Sequence, residues 1–178
     1  MPLATDKSGD LIPIDDIYIE IVGQRKITFN NLPDISDSKS ASYADESSIG
    51  RSTPFKNYSN SDNRVISWGC HFYVKKKNDD LIIMRDIRLL QSCTYPQTQT
   101  TGGAPYAPPP ICHLKCGKLL GDNFVCAVLK SYSIKYDTTL PWNKESLLPY
   151  KTDMELTFEV VYNQSDLPGS ERIMNFGA

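Results

Sequence analysis

The sequence predicts a mainly β protein, in which an antiparallel sheet carries one helix across or beside it. Three observations support this prediction. Several segments alternate apolar and polar residues, and one long segment has the apolar spacing of a helix. The stretches between them are rich in Ser, Pro and Gly, and no regular strand–helix alternation is visible.

Six segments are predicted to be strands. The first two, 16–23 and 25–33, meet at Gly23 and Gln24 and are placed to form a hairpin. The other four are 63–75, 111–116, 124–136 and 152–162. The segment 16–23 is rich in β-branched and aromatic residues, which fit a pleated, half-buried surface.

Two of these strands have a well-defined apolar face. In 63–75 that face carries Ile66, Trp68, Cys70, Phe72 and Val74, and in 152–162 it carries Met154, Leu156, Phe158, Val160 and Tyr162. Asp153, Glu155 and Glu159 occupy the opposite face of the last strand. This acidic row is either an ordinary polar face or the lining of a passage.

The segment 78–96 is predicted to be the helix. Its apolar stripe consists of Ile83, Ile87 and Leu90, widened by Leu81 and Met84. Asn78 or Asp79 is suited to cap the start, and Pro96 stops the helix because it lacks a backbone donor.

The polar segment 31–63 is predicted to be an assembly arm. It is rich in serine and poor in apolar residues, so it cannot bury enough surface to fold by itself. Tyr43, Ile49, Phe55 and Tyr58 are spaced along it like anchors for a neighbour. Residues 97–110 are predicted to be a polar Gly/Pro linker.

Length and charge indicate a single soluble domain, 1–178, with an N-terminal extension (1–15) and a C-terminal tail (163–178). The formal net charge of -2 does not suggest a phosphate-binding surface. The first fifteen residues are too polar for a signal peptide, and no apolar segment approaches the length of a membrane span. Synthesis in a reducing cytoplasm is therefore expected, with the five cysteines as buried free thiols.

A metal site at Cys112, His113 and Cys116 is the obvious candidate for chemistry. On a strand, however, Cys112 and Cys116 point to one face and His113 to the other. The two cysteines are about 13 Å apart along the strand, too far for both sulfurs to bind one zinc ion. We expect no metal and no cofactor here, with Cys112, Leu114 and Cys116 packed on the core. With only two histidines, both in apolar strand contexts, the chain is not expected to be an enzyme.

The order of these pieces resembles the tail-tube and baseplate-tube proteins of contractile-tailed phages and related injection systems, in particular tube initiators. The first half of the resemblance rests on Ser38, Ser40, Tyr43, Ile49, Gly50, Arg51, Ser52, Pro54, Tyr58, Arg64, Ile66 and Ser67. The second half rests on Leu90, Ser92, Tyr95, Pro96, Pro109, Pro110, Leu114 and Gly117, followed by 128–137 and 148–158. It covers residues 26 to 162, by order and spacing rather than by one diagnostic motif.

The resemblance implies a rolled, β-barrel-like antiparallel sheet with one flanking helix and the long polar arm. Six copies would join strand to strand into a ring of the tail tube or baseplate hub tube, within a virion assembled in the host cytoplasm. Asp153, Glu155 and Glu159 would line the channel and repel passing DNA. The arm, with Tyr43, Ile49, Arg51, Phe55 and Tyr58, would contact the next subunit. Trp142, in the loop 137–151, and Phe176 would contact adjacent rings or the hub.

The implied partners are further copies of the chain, neighbouring tube and hub proteins, and sheath or tape-measure proteins, without a membrane. DNA would be only passing cargo. The alternative is a ligand- or carbohydrate-binding β-domain of a tail or cell-wall protein, which would use Trp68, Trp142 and the tyrosines. The sequence also predicts that the long strands 124–136 and 152–162 expose their edges in a monomer.

Overall fold

The protein is mainly β, as predicted, with one helix. The computed structural model describes residues 17–29, 31–50, 52–76, 79–98, 106–121 and 123–162. The N-terminal extension 1–15 and the tail 163–178 lie outside the described residues. Within the described ranges the strands are β1 (Ile17–Ile21), β2 (Lys26–Thr28), β3 (Asp34–Ser38), β4 (Ala41–Glu46), β5 (Phe55–Ser61), β6 (Val65–Tyr73), β7 (Gln97–Thr98), β8 (Tyr106–Ala107), β9 (Ile111–Cys116), β10 (Val125–Tyr136) and β11 (Lys151–Val160). The helix α1 spans Asp79–Ser92.

Seven strands form one antiparallel sheet in the order β2-β1-β9-β10-β11-β6-β3. The predicted hairpin is present as β1 and β2, with Ile19 opposite Ile27. Two further pairs, β4 with β5 and β7 with β8, form separate small sheets. The pair β7–β8 lies within the segment predicted to be a polar Gly/Pro linker, 97–110, with Gln97 opposite Ala107.

The main sheet is rolled, and the connection between its two outermost strands shows why. Strands β2 and β3 lie at opposite ends of the sheet order but are six residues apart, from Thr28 to Asp34. Six residues span at most about 21 Å. In a flat sheet of seven strands the two edges would be about 29 Å apart. The sheet must curl to bring its edges together, and the Asn31 amide donates a hydrogen bond to the His71 carbonyl of β6 at 3.2 Å.

The core lies between the apolar face of this sheet and the helix. Trp68, Phe158, Leu114 and the other inward residues of β6, β9 and β11 are buried, as the alternation predicted. Ile87 and Leu90 of α1 join the same cluster, with Ile83 and Met84 partly buried beside it. Leu81 does not belong to the apolar stripe, since its side chain is exposed.

The prediction of two exposed long strands was wrong for β11, which pairs with β10 on one side and β6 on the other along its length. The predicted exposed edge is present along half of β10. Only Val125–Val128 of β10 pairs with β9, so in the described part of the chain the stretch from Ser131 to Tyr136 has one open edge. The outer edges of β2 and β3 are open in the same sense.

Among the described residues, no helix combines the length and apolarity needed to cross a bilayer.

Candidate functional site

The polar face of the rolled sheet carries the predicted acidic row. Asp153, Glu155 and Glu159 alternate with the buried residues of β11 and therefore share the face turned away from the core. In register, they lie opposite His71, Gly69 and Val65 of β6. Placement on one face agrees with the sequence.

Asp153 is paired rather than free. Its Oδ1 is 2.6 Å from Nδ1 of His71, and its Oδ2 is 3.0 Å from Nζ of Lys151. Burial by itself would raise the pKa of Asp153, but the hydrogen bonds from His71 and Lys151 outweigh it and lower that pKa. The Lys151 ammonium also lies 3.4 Å from Asp137. Asp153 is thus part of a polar network on the sheet.

Glu159 is paired as well. It accepts hydrogen bonds from the Asn63 amide at 2.6 Å and from the Lys130 ammonium at 2.9 Å. Both hydrogen bonds lower the pKa of Glu159, and the one from Asn63 has the larger effect. Glu155 is exposed and, among the described residues, has no ion pair. The expected acidic wall is therefore largely compensated by neighbouring donors within the subunit.

A shallow groove runs across the polar face over β3, β6, β11 and β10. Gly69 forms its floor. A Cβ at this position would lie 3.2 Å from the Cβ of Asp34, so a larger residue would press on β3. Ile35, Cys70 and Met154 also contribute to the lining, and its polar and charged residues are Asp34, Ser36, Ser67, His71, Ser133, Lys135, Asp153 and Glu155. The groove has donors and acceptors of both signs but no aromatic platform.

The predicted assembly arm is a β-hairpin. Strands β4 and β5 pair with each other, and every residue of both strands is exposed. Tyr43 and Tyr58 form an edge-to-face pair with ring centroids 5.8 Å apart. Ile49, in the connecting turn, and Phe55 are exposed too. Arg51 lies outside the described residues.

The arm is shorter than the predicted range 31–63, because its first part belongs to the main sheet. Strand β3 pairs with β6, with Ile35 opposite Trp68. The Arg64 guanidinium forms a two-pronged ion pair with Asp37, through Nε at 2.9 Å from Oδ1 and through an additional terminal nitrogen contact. Strand β3 was not predicted from the sequence, since Ile35 is its sole apolar residue, too little for an alternation signal.

The loop after β10, residues 137–150, exposes apolar side chains and is held in place by hydrogen bonds. Trp142 forms an isolated antiparallel β-bridge with Pro149, and its indole N–H donates a hydrogen bond to the Asp137 carbonyl at 3.2 Å. The buried Asp80 carboxylate of α1 holds the loop through Ser146 (2.5 Å) and Asn143 (2.9 Å). Trp142 is partly exposed, as a contact residue requires. Phe176, its predicted companion, lies outside the described residues.

The cysteines of β9 behave as the strand geometry predicted. Cys112 and Cys116 are buried on the core side, with Leu114 between them. His113 points to the other face, where it stacks on Phe124 at 4.1 Å and lies 3.3 Å from Glu20. Within the described ranges, no three His, Cys, Asp or Glu side chains are grouped so as to hold a metal ion.

Sequence reasoning missed His71 as a site residue. It was expected to be an ordinary strand histidine, yet it connects carboxylates on two neighbouring strands, Asp34 and Asp153. The alternation put His71 and Asp153 on polar faces, which was a usable signal. Their proximity depends on which strands pair, and the sequence does not contain that information.

Comparisons with models of known protein families and with curated proteins gave no match.

Proposed function

We propose that the chain is a structural subunit that assembles into a hexameric ring of the tail tube or baseplate hub tube of a contractile tail. The observation that carries the proposal is the β4–β5 hairpin, whose residues are all exposed although they include Tyr43, Phe55 and Tyr58. The resemblance to tube proteins supplies the class of assembly.

The hairpin has a physical need for a partner. An isolated two-stranded hairpin is at best marginally stable in water. Its internal links, such as the Asn57–Glu46 hydrogen bond at 2.8 Å and the Lys56–Asp45 ion pair, are exposed to solvent and contribute little. Packing the Tyr43–Tyr58 pair against another subunit would bury aromatic area that the monomer leaves in water.

Open strand edges support the same proposal. The edges of β2, β3 and the second half of β10 expose backbone donors and acceptors in the part of the chain that is described. Such edges are sites for pairing with another chain, and a closed ring removes them. In that ring the polar face with Asp153, Glu155 and Glu159 would line the channel, and Lys130 and Lys151 beside this row are already paired with its carboxylates.

The alternative, a carbohydrate-binding domain, has less support. Sugar recognition needs exposed aromatic platforms, but Trp68 is completely buried in the core. Trp142 is the remaining tryptophan, and its indole N–H is already bonded within its own loop.

The oligomeric state tests the proposal. Native mass spectrometry and negative-stain microscopy of the purified full chain are expected to show six-copy rings. The double variant Tyr43→Ala/Tyr58→Ala should abolish the six-copy rings. It should leave the melting temperature of the subunit unchanged, because neither tyrosine side chain belongs to the core.

A matched pair of single variants provides the control. Ile49→Ser, at the turn of the arm, should weaken ring formation, whereas Leu119→Ser, at an exposed position between β9 and β10, should not. A wild-type chain that stays monomeric would contradict the hexameric ring. A monomer that binds glycans on an array would favour the alternative.

A further inference from the structure

His71 occupies a special position on the polar face. It lies on β6, one strand in from the edge strand β3, and each of its ring nitrogens faces a carboxylate. Nδ1 is 2.6 Å from Oδ1 of Asp153 on β11, and Nε2 is 3.1 Å from Oδ2 of Asp34 on β3. One imidazole therefore links three strands.

This geometry specifies the protonation state. A carboxylate only accepts hydrogen bonds, so both ring nitrogens of His71 must donate. Neutral imidazole has one N–H, whereas imidazolium has two. The hydrogen bond to Asp153 raises the pKa of His71 despite partial burial, and Asp34 adds to the effect. The two contacts can coexist only while His71 is charged.

The other charges around His71 are more distant partners. Lys151 of β11 neutralises Asp153 from its other oxygen at 3.0 Å. Lys135 of β10 and Glu155 of β11 line the groove on the polar side. A cleft on the far side of His71 is lined by Arg25, Lys75, Asp79 and Asp86. Among the described residues, only Asp34 and Asp153 bond to the imidazole itself, and both favour the proton.

The two contacts are not equally durable. Asp153 is shielded and also bound to Lys151, and its contact with His71 is the shorter one. The Asp34 side chain is 84% exposed and sits on an edge strand. When His71 loses a proton, the remaining N–H stays with Asp153. The lone pair of Nε2 then faces the Asp34 carboxylate, which loses its donor.

We propose that His71 is a proton-controlled clamp that fastens the start of β3, and with it the stem of the hairpin arm, to the sheet. At the other end of β3, the Arg64–Asp37 pair holds the strand independently of pH, because a guanidinium does not lose its proton in this range. Titration of His71 thus loosens one end of the strand only. The clamp lies within one subunit and does not depend on assembly into a hexameric ring.

The pH dependence of the clamp follows from the direction in which the pKa of His71 is shifted. Since the folded-state pKa of His71 is raised above its ordinary value of about 6.5, the clamp is complete below that value. It is lost as the pH rises through the raised pKa. The stem of the arm is therefore tight in mildly acidic solution and looser in alkaline solution.

Hydrogen exchange of the full-length chain tests the clamp, at a dilution where it is monomeric. Amide protection in 34–38, corrected for the intrinsic pH dependence of exchange, is followed from about pH 6 to about pH 9. We expect protection of β3 to fall about 2- to 5-fold with rising pH, a small factor because Asp34 is exposed. Protection in β11 should not change.

Variants show whether the pH response of β3 comes from the His71–Asp34 contact or from other titrating groups. Asp34→Asn and His71→Gln should each remove the pH response of β3, whereas His113→Gln, which alters the other histidine, should retain it. Asp34→Asn keeps the His71–Asp153 contact, so it remains informative if His71→Gln does not fold. An NMR titration should also show a lower His71 pKa in Asp34→Asn than in the wild type. A pH response that survives in Asp34→Asn, or a wild-type β3 whose protection does not change, would overturn the proposal.

Discussion

Phe29, the residue after β2, packs against Trp68 in the middle of β6, with ring centroids 6.0 Å apart and ring planes inclined at 45°. Four strands lie between β2 and β6 in the sheet order. The contact exists because the sheet is rolled. Phe29 also meets Phe72 at 5.8 Å, so one side chain ties the first edge of the sheet to its far side.

Truncating Phe29 should therefore destabilise the whole roll. Phe29→Ala is expected to lower the free energy of unfolding by about 3–5 kcal/mol, since a buried aromatic side chain is removed and a cavity remains. Phe29→Leu, which keeps much of the volume, should cost clearly less. Urea denaturation measures both. An Ala variant within about 1 kcal/mol of the wild type would show that the contact does not hold the roll together.

Asp80 should make the fold sensitive to acid. The hydrogen bond from Ser146, followed by that from Asn143, lowers the pKa of this buried carboxylate. Its stabilising effect is present above the ordinary pKa near 4 and disappears as the pH falls through the lowered value. Asp80→Asn should thus melt below the wild type at neutral pH, and the difference should shrink towards about pH 2.

The neighbouring aspartate supplies the control for this experiment. Asp79 accepts a hydrogen bond from the Lys76 backbone at 2.9 Å and does not contact the loop. Asp79→Asn should shift the melting curve much less than Asp80→Asn at neutral pH. Equal shifts for both variants would mean that charge at the helix start, rather than anchoring of the loop, is responsible.

Leu147 is a strained position in the same loop. Its φ is 53°, in the left-handed region, and its side chain is 71% exposed. Glycine adopts this backbone without the steric cost, so Leu147→Gly should stabilise the subunit by about 0.5–1 kcal/mol. Leu119→Gly, at an exposed leucine without positive φ, should instead be destabilising or neutral. Urea midpoints of the two variants decide the matter, and a loss of stability in Leu147→Gly would contradict the strain.

The five thiols should differ strongly in reactivity. Cys126 is half-buried on the polar face, whereas Cys70, Cys93 and Cys112 are completely buried. Burial also raises the pKa of Cys70 far above its ordinary range, which leaves little reactive thiolate. Under native conditions, alkylation followed by mass spectrometry should modify Cys126 at least about 100-fold faster than Cys70. In urea all five should react, and equal native rates would contradict the packing of the core.

Several local elements and their faces could be predicted from the amino-acid sequence. Strand β9 was predicted with its observed bounds, and the inward residues of β6 and β11 were identified correctly, including Trp68 and Phe158. Such features follow from the period-two alternation of a strand, which neighbouring residues establish without reference to the rest of the chain.

The order in which the strands pair could not be predicted, because pairing joins residues far apart in sequence. β3 was missed since a polar edge strand is held by its hydrogen bonds to β6 and by Arg64–Asp37, not by an apolar face. The same pairing brings Asp34 and Asp153 to the two nitrogens of His71. The acidic row could be read from the sequence. Lys151, which compensates Asp153, lies on the same strand, but His71, Lys130 and Asn63 come from β6, β10 and the turn before β6, and only the folded sheet places them there.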